Sequence, residues 1–167
     1  MLKIYFLVPL VTFGVSKDAL CSEIRTLILG GKAAFYVEVA SDRSARLRGL
    51  MHRESLARCH GMWFDFTDTR LVSLWMKNTA MSLDVIFISE EMVVEHIVEN
   101  TVPFSLDLLE SKVLVRYALE VPSGTSNSYN VSVGDHVIFD KDRKINISDE
   151  QTSMPAENAV CALLKTN

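Results

Sequence analysis

Apolar and polar residues alternate with a period of two along most of this chain, and the period lengthens in only a few places. Thr26 and Ile28, followed by Gly30-Gly31, predict a short strand running into a turn. Phe35 to Ala40 predicts a second strand. Ser41 or Asp42 then offers a helix cap, because either side chain accepts from amides that a first helical turn leaves unpaired. Leu47, Leu50 and Met51 recur at helical spacing, with Arg43, Arg46 and Arg48 turned to solvent. Gly49 is costly in a helix interior and points to close packing against a neighbour.

Beyond Met62 the period returns to two. Met62–Phe66 and Leu71–Met76 predict strands around a Thr-Asp turn, the second with Val72, Leu74 and Met76 on one face and Ser73, Trp75 and Lys77 on the other. Ser82–Ile88 and Met92–Val98 follow, with Glu90-Glu91 at the turn between them. Val113–Val121 continues the pattern until Pro122 stops it. The polar stretch 123–128 suits a turn or short helix, and Val133-Gly134-Asp135 turns into a closing strand, His136–Phe139. Short strands joined mostly by turns predict a mostly-β (α+β) fold. The expected form is a compact antiparallel β-barrel or sandwich with one or two short helices, and no parallel crossovers.

The ends of the chain read differently. Lys3 precedes an uncharged, mainly apolar stretch from Ile4 to Val15, the pattern of a secretory signal and too short to span a bilayer as a helix. Residues 1–16 are therefore expected to be a signal peptide, with an N-terminal strand or buried helix as the alternative. The protein is expected to be exported, periplasmic or extracellular. Membrane anchoring through Cys21 is a weaker variant, because Leu20 stands where a lipid-attachment box prefers a small residue. Residues 17–33 form a lead-in and 34–140 a single β-rich domain. Residues 141–167 form a tail in which Pro155–Leu164 suits a short helix.

Composition adds exclusions. Of 167 residues, 49% are hydrophobic and 23% charged, which rules out a chain disordered throughout. Seventeen Lys and Arg against twenty-one Asp and Glu give a formal charge of -4, so there is no general attraction for phosphate backbones and no nucleic-acid partner is expected. Cys21, Cys59 and Cys161 make no disulfide framework and match no metal knuckle. Cys59 and Cys161 read as small buried hydrophobes, with a Cys59–Cys161 bridge open in an oxidising compartment. Phosphate-binding glycine loops, HExxH, GxSxG and CxxC are all absent.

Six segments in order carry a resemblance: FYVEVA at 35–40, RLRGLMHRESL at 46–56, GMWFDF at 61–66, WMKNTAMSLDVIFI at 75–88, YALEVPSG at 117–124 and VGDHVIF at 133–139. Together they make residues 34–139 similar to the prokaryotic Domain of Unknown Function 192 family. The resemblance implies a compact β-rich barrel or sandwich and an exported or anchored protein, and it implies no particular reaction. Ser82 stands where that family often has proline, and TSNSYN at 125–130 replaces a commoner Ala/Glu-rich helix. The stretch from Thr101 to Val113 lacks the cysteine and repeated prolines of many members.

Asp84 is the one carboxylate in an otherwise apolar strand, where it is expensive unless paired or hydrogen-bonded. Arg53, Lys77 or the turn amides around Asn78 are its expected partners. Arg53, Trp75, Lys77, Asn78 and Asp84 therefore form the candidate pocket or buried polar network, with the structural network favoured. Glu120 is expected to take a strand-edge role. His52, His60, His96 and His136 read as surface or core-rim residues, and no metal or cofactor is expected. Trp63 and Trp75 read as packing anchors. The leading function is an exported accessory domain binding a small ligand or an envelope protein. One alternative is an envelope enzyme acting on an anionic small molecule or polymer, with Asp84 as acid or base. The other is a structural envelope protein.

Overall fold

The structure, a computed structural model, describes residues 24–145, with side chains as far as Phe139. The expected leader, Cys21, Cys161 and the Pro155–Leu164 helix lie outside the described residues. Nine strands and two short helices follow in chain order within them: β1 (Ile24–Leu29), β2 (Ala33–Ala40), α1 (Arg43–Arg48), β3 (His60–Arg70), β4 (Ser73–Leu74), β5 (Leu83–Ile88), β6 (Val94–Val98), β7 (Leu109–Glu110), β8 (Val115–Pro122), α2 (Thr125–Ser128) and β9 (Val137–Ile145).

Seven strands form one sheet in the order β6-β5-β8-β3-β2-β1-β9, while β4 and β7 form a separate two-stranded ribbon. The large sheet curls into a half-barrel, and its outermost strands meet at a single point. There Val93 bridges His136, the Val94 amide donates to the Asp135 carbonyl at 2.9 Å, and the Val137 amide donates to the Met92 carbonyl at 2.8 Å. That contact protects part of each edge from pairing with another chain.

The mostly-β architecture with two short helices agrees with the sequence pattern, but the antiparallel expectation has one exception. β2 and β3 pair in parallel, from Tyr36 opposite His60 to Ala40 opposite Phe64. A parallel pair needs a long crossover, and α1 with the loop after it supplies one. The sheet also takes in β1 ahead of residue 34, because β1 lies between β2 and β9. Leu71–Met76 keeps its expected alternation, with Val72 and Met76 buried and Ser73 and Trp75 exposed, yet only Ser73–Leu74 pairs as a strand.

Alternation along the central strands divides the core between the two faces of the sheet. Phe35, Val37, Trp63, Ile86, Leu119 and Val121 fill the concave side. There Trp63 stacks between Tyr117 and Phe139, each ring centroid 4.8 Å away. Phe64, Phe66, Leu83, Val85, Phe87 and Ala118 fill the outer side beneath Leu50, Val72 and Met76. All six residues of β5 are buried because the sheet is covered on both faces.

Asp42 caps α1, accepting from the Ala45 amide at 2.8 Å. Gly49 ends the helix with φ 49 and ψ -136, a conformation that side chains disfavour, and a Cβ there would lie 3.4 Å from the Phe64 ring. Gly49 is thus a helix terminator in close contact with β3 rather than an interior residue. The Arg46 guanidinium ties the helix down by donating to the Ser41 carbonyl and, at 2.7 Å, to the Asp65 carbonyl of β3.

Candidate functional site

Of the five residues picked out from sequence, Asp84 stands apart from the other four, on the opposite face of the sheet. Asp84 faces the concave side of β5 and is fully buried. It accepts from the amides of Asn100 at 3.0 Å, Gly124 at 3.2 Å and Ser126 at 2.8 Å. A carboxylate held by several backbone amides is satisfied without a cation. The expected partners Arg53 and Lys77 are not among its contacts, and the amides come from segments far from Asn78 in sequence. Asp84 joins β5 to the β8–α2 turn and has no exposed surface from which to exchange a proton with a substrate.

Arg53 lies across the sheet from Asp84, in a two-pronged pair with Glu38 of β2. Nη1 donates to Oε1, and Nη2 donates to Oε2 at 2.7 Å. The hydrogen bond to Glu38 raises the arginine above its usual range, partial burial opposes the shift, and the Glu38 charge adds to it. Lys77 rests 5.1 Å from the centre of the Trp75 ring. The Asn78 carbonyl accepts from the His52 amide at 2.8 Å, which links the turn after β4 to the loop after α1.

A cavity of about 470 Å³ opens between α1, the outer face of the sheet and the β4–β7 ribbon. Trp75 is the one member of the sequence-picked set that lines it. Phe64, Phe66 and Leu50 form its apolar walls, and Leu47, Trp75 and Leu108 continue them to the surface with exposures of 61%, 44% and 59%. Four arginines line the same cavity: Arg43, Arg46, Arg48 and Arg70. The Arg70 guanidinium lies 5.3 Å from the centre of the Phe66 ring, a cation held against an aromatic face.

Among the described residues, Glu120 is the only acid in the lining. It sits on β8, between Met62 of β3 and Val85 of β5, and is 6% exposed. β8 is a central strand, so the strand-edge role expected from sequence is not the one it has. No hydrogen bond or ion pair joins its carboxyl to any other described residue. Burial alone pushes it up to about 8, so at neutral pH it holds its proton. A buried carboxyl without partners, beside a cavity, is the kind of perturbed group that gathers at functional sites. Sequence signals for this site exist but are faint. Glu120 is an acid between Leu119 and Val121, and the arginines of α1 have no acidic residue in the helix to pair with.

Among the described residues no three His, Cys, Asp or Glu side chains converge as a metal site. His60 packs against Tyr36 and His96 against Phe87, with centroids 5.6 and 6.1 Å apart. Cys59 is buried and is not a free thiol, which departs from its reading as a simple small hydrophobe.

The chain matches the DUF192 model, described as Uncharacterized ACR, over residues 26–139. It belongs to the DUF192 family. A crystal structure of a "putative transcription regulator" from Sinorhizobium meliloti 1021 is 41% identical, with a TM-score of 0.65, covering 71% of this chain and 93% of that one. A DUF192-like fold is also seen in a protein of unknown function from Novosphingobium aromaticivorans DSM 12444. That protein is 28% identical, with a TM-score of 0.64, covering 70% of this chain and 83% of that one. No curated protein matches the chain. For this DUF192 member, family and fold agree with the resemblance carried by the six motifs.

Proposed function

We propose that this DUF192 protein is an exported accessory domain that binds a small molecule in the cavity between α1 and the outer face of the sheet. Glu120 carries the reading. Leaving a carboxyl buried and unpartnered costs stability, and Gln would fill the same space without titrating. A ligand that hydrogen-bonds the carboxyl gives the residue a purpose that packing does not. Export is supported by Lys3 and the apolar stretch Ile4–Val15, with anchoring through Cys21 as its membrane-bound form. The charge of -4 weighs against a nucleic-acid partner, and the regulator description of the Sinorhizobium protein is compatible with a ligand sensor.

The test is a small-molecule screen followed by amide chemical shifts of the full chain. Binders should move the Trp75 indole and the amides of α1 and β4. Shifts confined to other surfaces, or no binder at all, would overturn the proposal. The mass of the exported protein tests the leader, since cleavage and lipid attachment change it in opposite directions.

One observation favours a catalytic second reading, with the acid moved from Asp84 to Glu120. A proton held near neutrality beside arginines suits general-acid work on an anionic substrate. Under that reading Glu120→Gln binds the ligand and fails to turn it over. Under the accessory reading no turnover is found with either protein.

A further inference from the structure

This inference rests on the cavity being a ligand site. We propose that its ligand is an amphipathic anion, an apolar or aromatic body bearing one acidic group of the carboxylate, sulfonate or phosphate type.

Charge is the first argument. Four cations elsewhere on the domain are matched by carboxylates, Arg53 with Glu38, Arg116 with Asp65, Lys32 with Asp135 and Lys112 with Glu110, while Lys77 rests on the Trp75 ring. Around the cavity, by contrast, four arginines gather with no carboxylate partner among the described residues. Arg46 is committed to backbone carbonyls and Arg70 to the Phe66 face, and neither has a carboxylate partner among the described residues. Arg43 and Arg48 are exposed and make no side-chain hydrogen bond or ion pair there. Within a chain of net charge -4 this is a local excess of positive charge around one opening. Glu120 does not cancel it near neutrality, because burial keeps its proton on.

Shape and polarity supply the second argument. Phe64, Phe66 and Leu50 offer buried apolar walls, and the walls run outward through the exposed Leu47, Trp75 and Leu108. A ligand with an apolar body covers this surface, and its acid group is drawn to the arginine forks, which suit planar oxyanions. A small hydrophilic anion would leave the apolar mouth uncovered. An uncharged hydrophobe would leave the cations unopposed. Glu120 adds a single hydrogen-bond donor deep in the site, which selects for an acceptor on the buried end of the ligand.

Two fluorescent probes separate the possibilities, because 8-anilinonaphthalene-1-sulfonate and N-phenyl-1-naphthylamine share one body and differ by the sulfonate. The full chain should bind the sulfonate at least about tenfold more tightly. Arg43→Gln combined with Arg48→Gln should remove most of that preference while leaving the neutral probe and the melting temperature unchanged. Both residues are exposed, so folding is not at stake. Ser73→Trp, which fills the cavity from an exposed position, should weaken both probes. Equal affinity for the two probes, or full sulfonate affinity in the double arginine variant, overturns the anion class and leaves the cavity as a ligand site. Failure of both probes to bind, or indifference of both to Ser73→Trp, overturns the ligand site and the anion class with it.

Discussion

Asp84 and Glu120 stand one step apart on the β5–β8 ladder and on opposite faces of the sheet. Asp84 faces Val121 across the strands, and Glu120 faces Val85. Both carboxyls are buried, yet three backbone amides hold the first and no described residue holds the second. The pair sets a hydrogen-bonded acid beside an unpartnered one lining a cavity, within one sheet.

Glu120 makes the stability of this protein fall with rising pH. Its folded value near 8 lies above the ordinary carboxylate value of 4.5. Below the ordinary value both states hold the proton and the residue contributes nothing. Between the two values the unfolded chain releases the proton while the folded chain keeps it, so stability falls as pH rises through that window. Glu120→Gln removes the effect. It should match the parent near pH 4 and exceed it by roughly 3 kcal/mol at pH 7, read by chemical denaturation at each pH. A constant difference between the two proteins across that range would show that the carboxyl is not held protonated.

Asp84→Ala should act on folding. It strands the amides of Asn100, Gly124 and Ser126 in the interior and cuts the tie from β5 to the β8–α2 turn. The expected loss is at least about 3 kcal/mol, seen as a fall in the denaturation midpoint. Whatever fraction remains folded should keep parental probe affinity, because Asp84 does not line the cavity.

The Arg53–Glu38 pair should be coupled but modest. Its side chains keep 37% and 21% of their exposure, so water screens part of the attraction. A double-mutant cycle with Arg53→Ala and Glu38→Ala should give about 1 kcal/mol, lower in high salt. A coupling near zero would mean that the two-pronged geometry does not persist in solution.

Gly61→Ala should be disproportionately harmful for so small a change. A Cβ at that position would lie 2.7 Å from the Glu120 carbonyl and 3.1 Å from Val121 Cγ1. Backbone cannot move aside as a side-chain tip can, so β3 and β8 would be forced apart. A loss of about 1–3 kcal/mol is expected by thermal or chemical unfolding. Because Glu120 sits at the same junction, amide shifts should spread along β8 as well as β3.

Much of the local structure is written in short stretches of sequence. The cap at Asp42, the short helix after Gly124 and the alternation of β3, β5 and β8 each follow from neighbours a few residues apart. The parallel β2–β3 pair was half legible, since a strand, a helix and a strand in succession allow it. Short turns elsewhere in the chain suggested hairpins throughout, and the crossover is the exception. For the candidate site the sequence named Trp75, which lines the cavity, and favoured a buried polar network for Asp84 but not the partners it has. Its cost of burial was plain, but the amides that meet that cost come from residues sixteen to forty-two positions away.

The sequence by itself determined the family, the β-rich class and the places where burial of a charge needs explanation, because these depend on residue type and local period. Only the tertiary structure decided which buried acid is satisfied. Successive residues of a strand point to opposite faces, so Asp84 and Glu120 look alike in a list of apolar neighbours. Folding places one beside free amides and the other, without a partner among the described residues, in the lining of a cavity shared with four arginines.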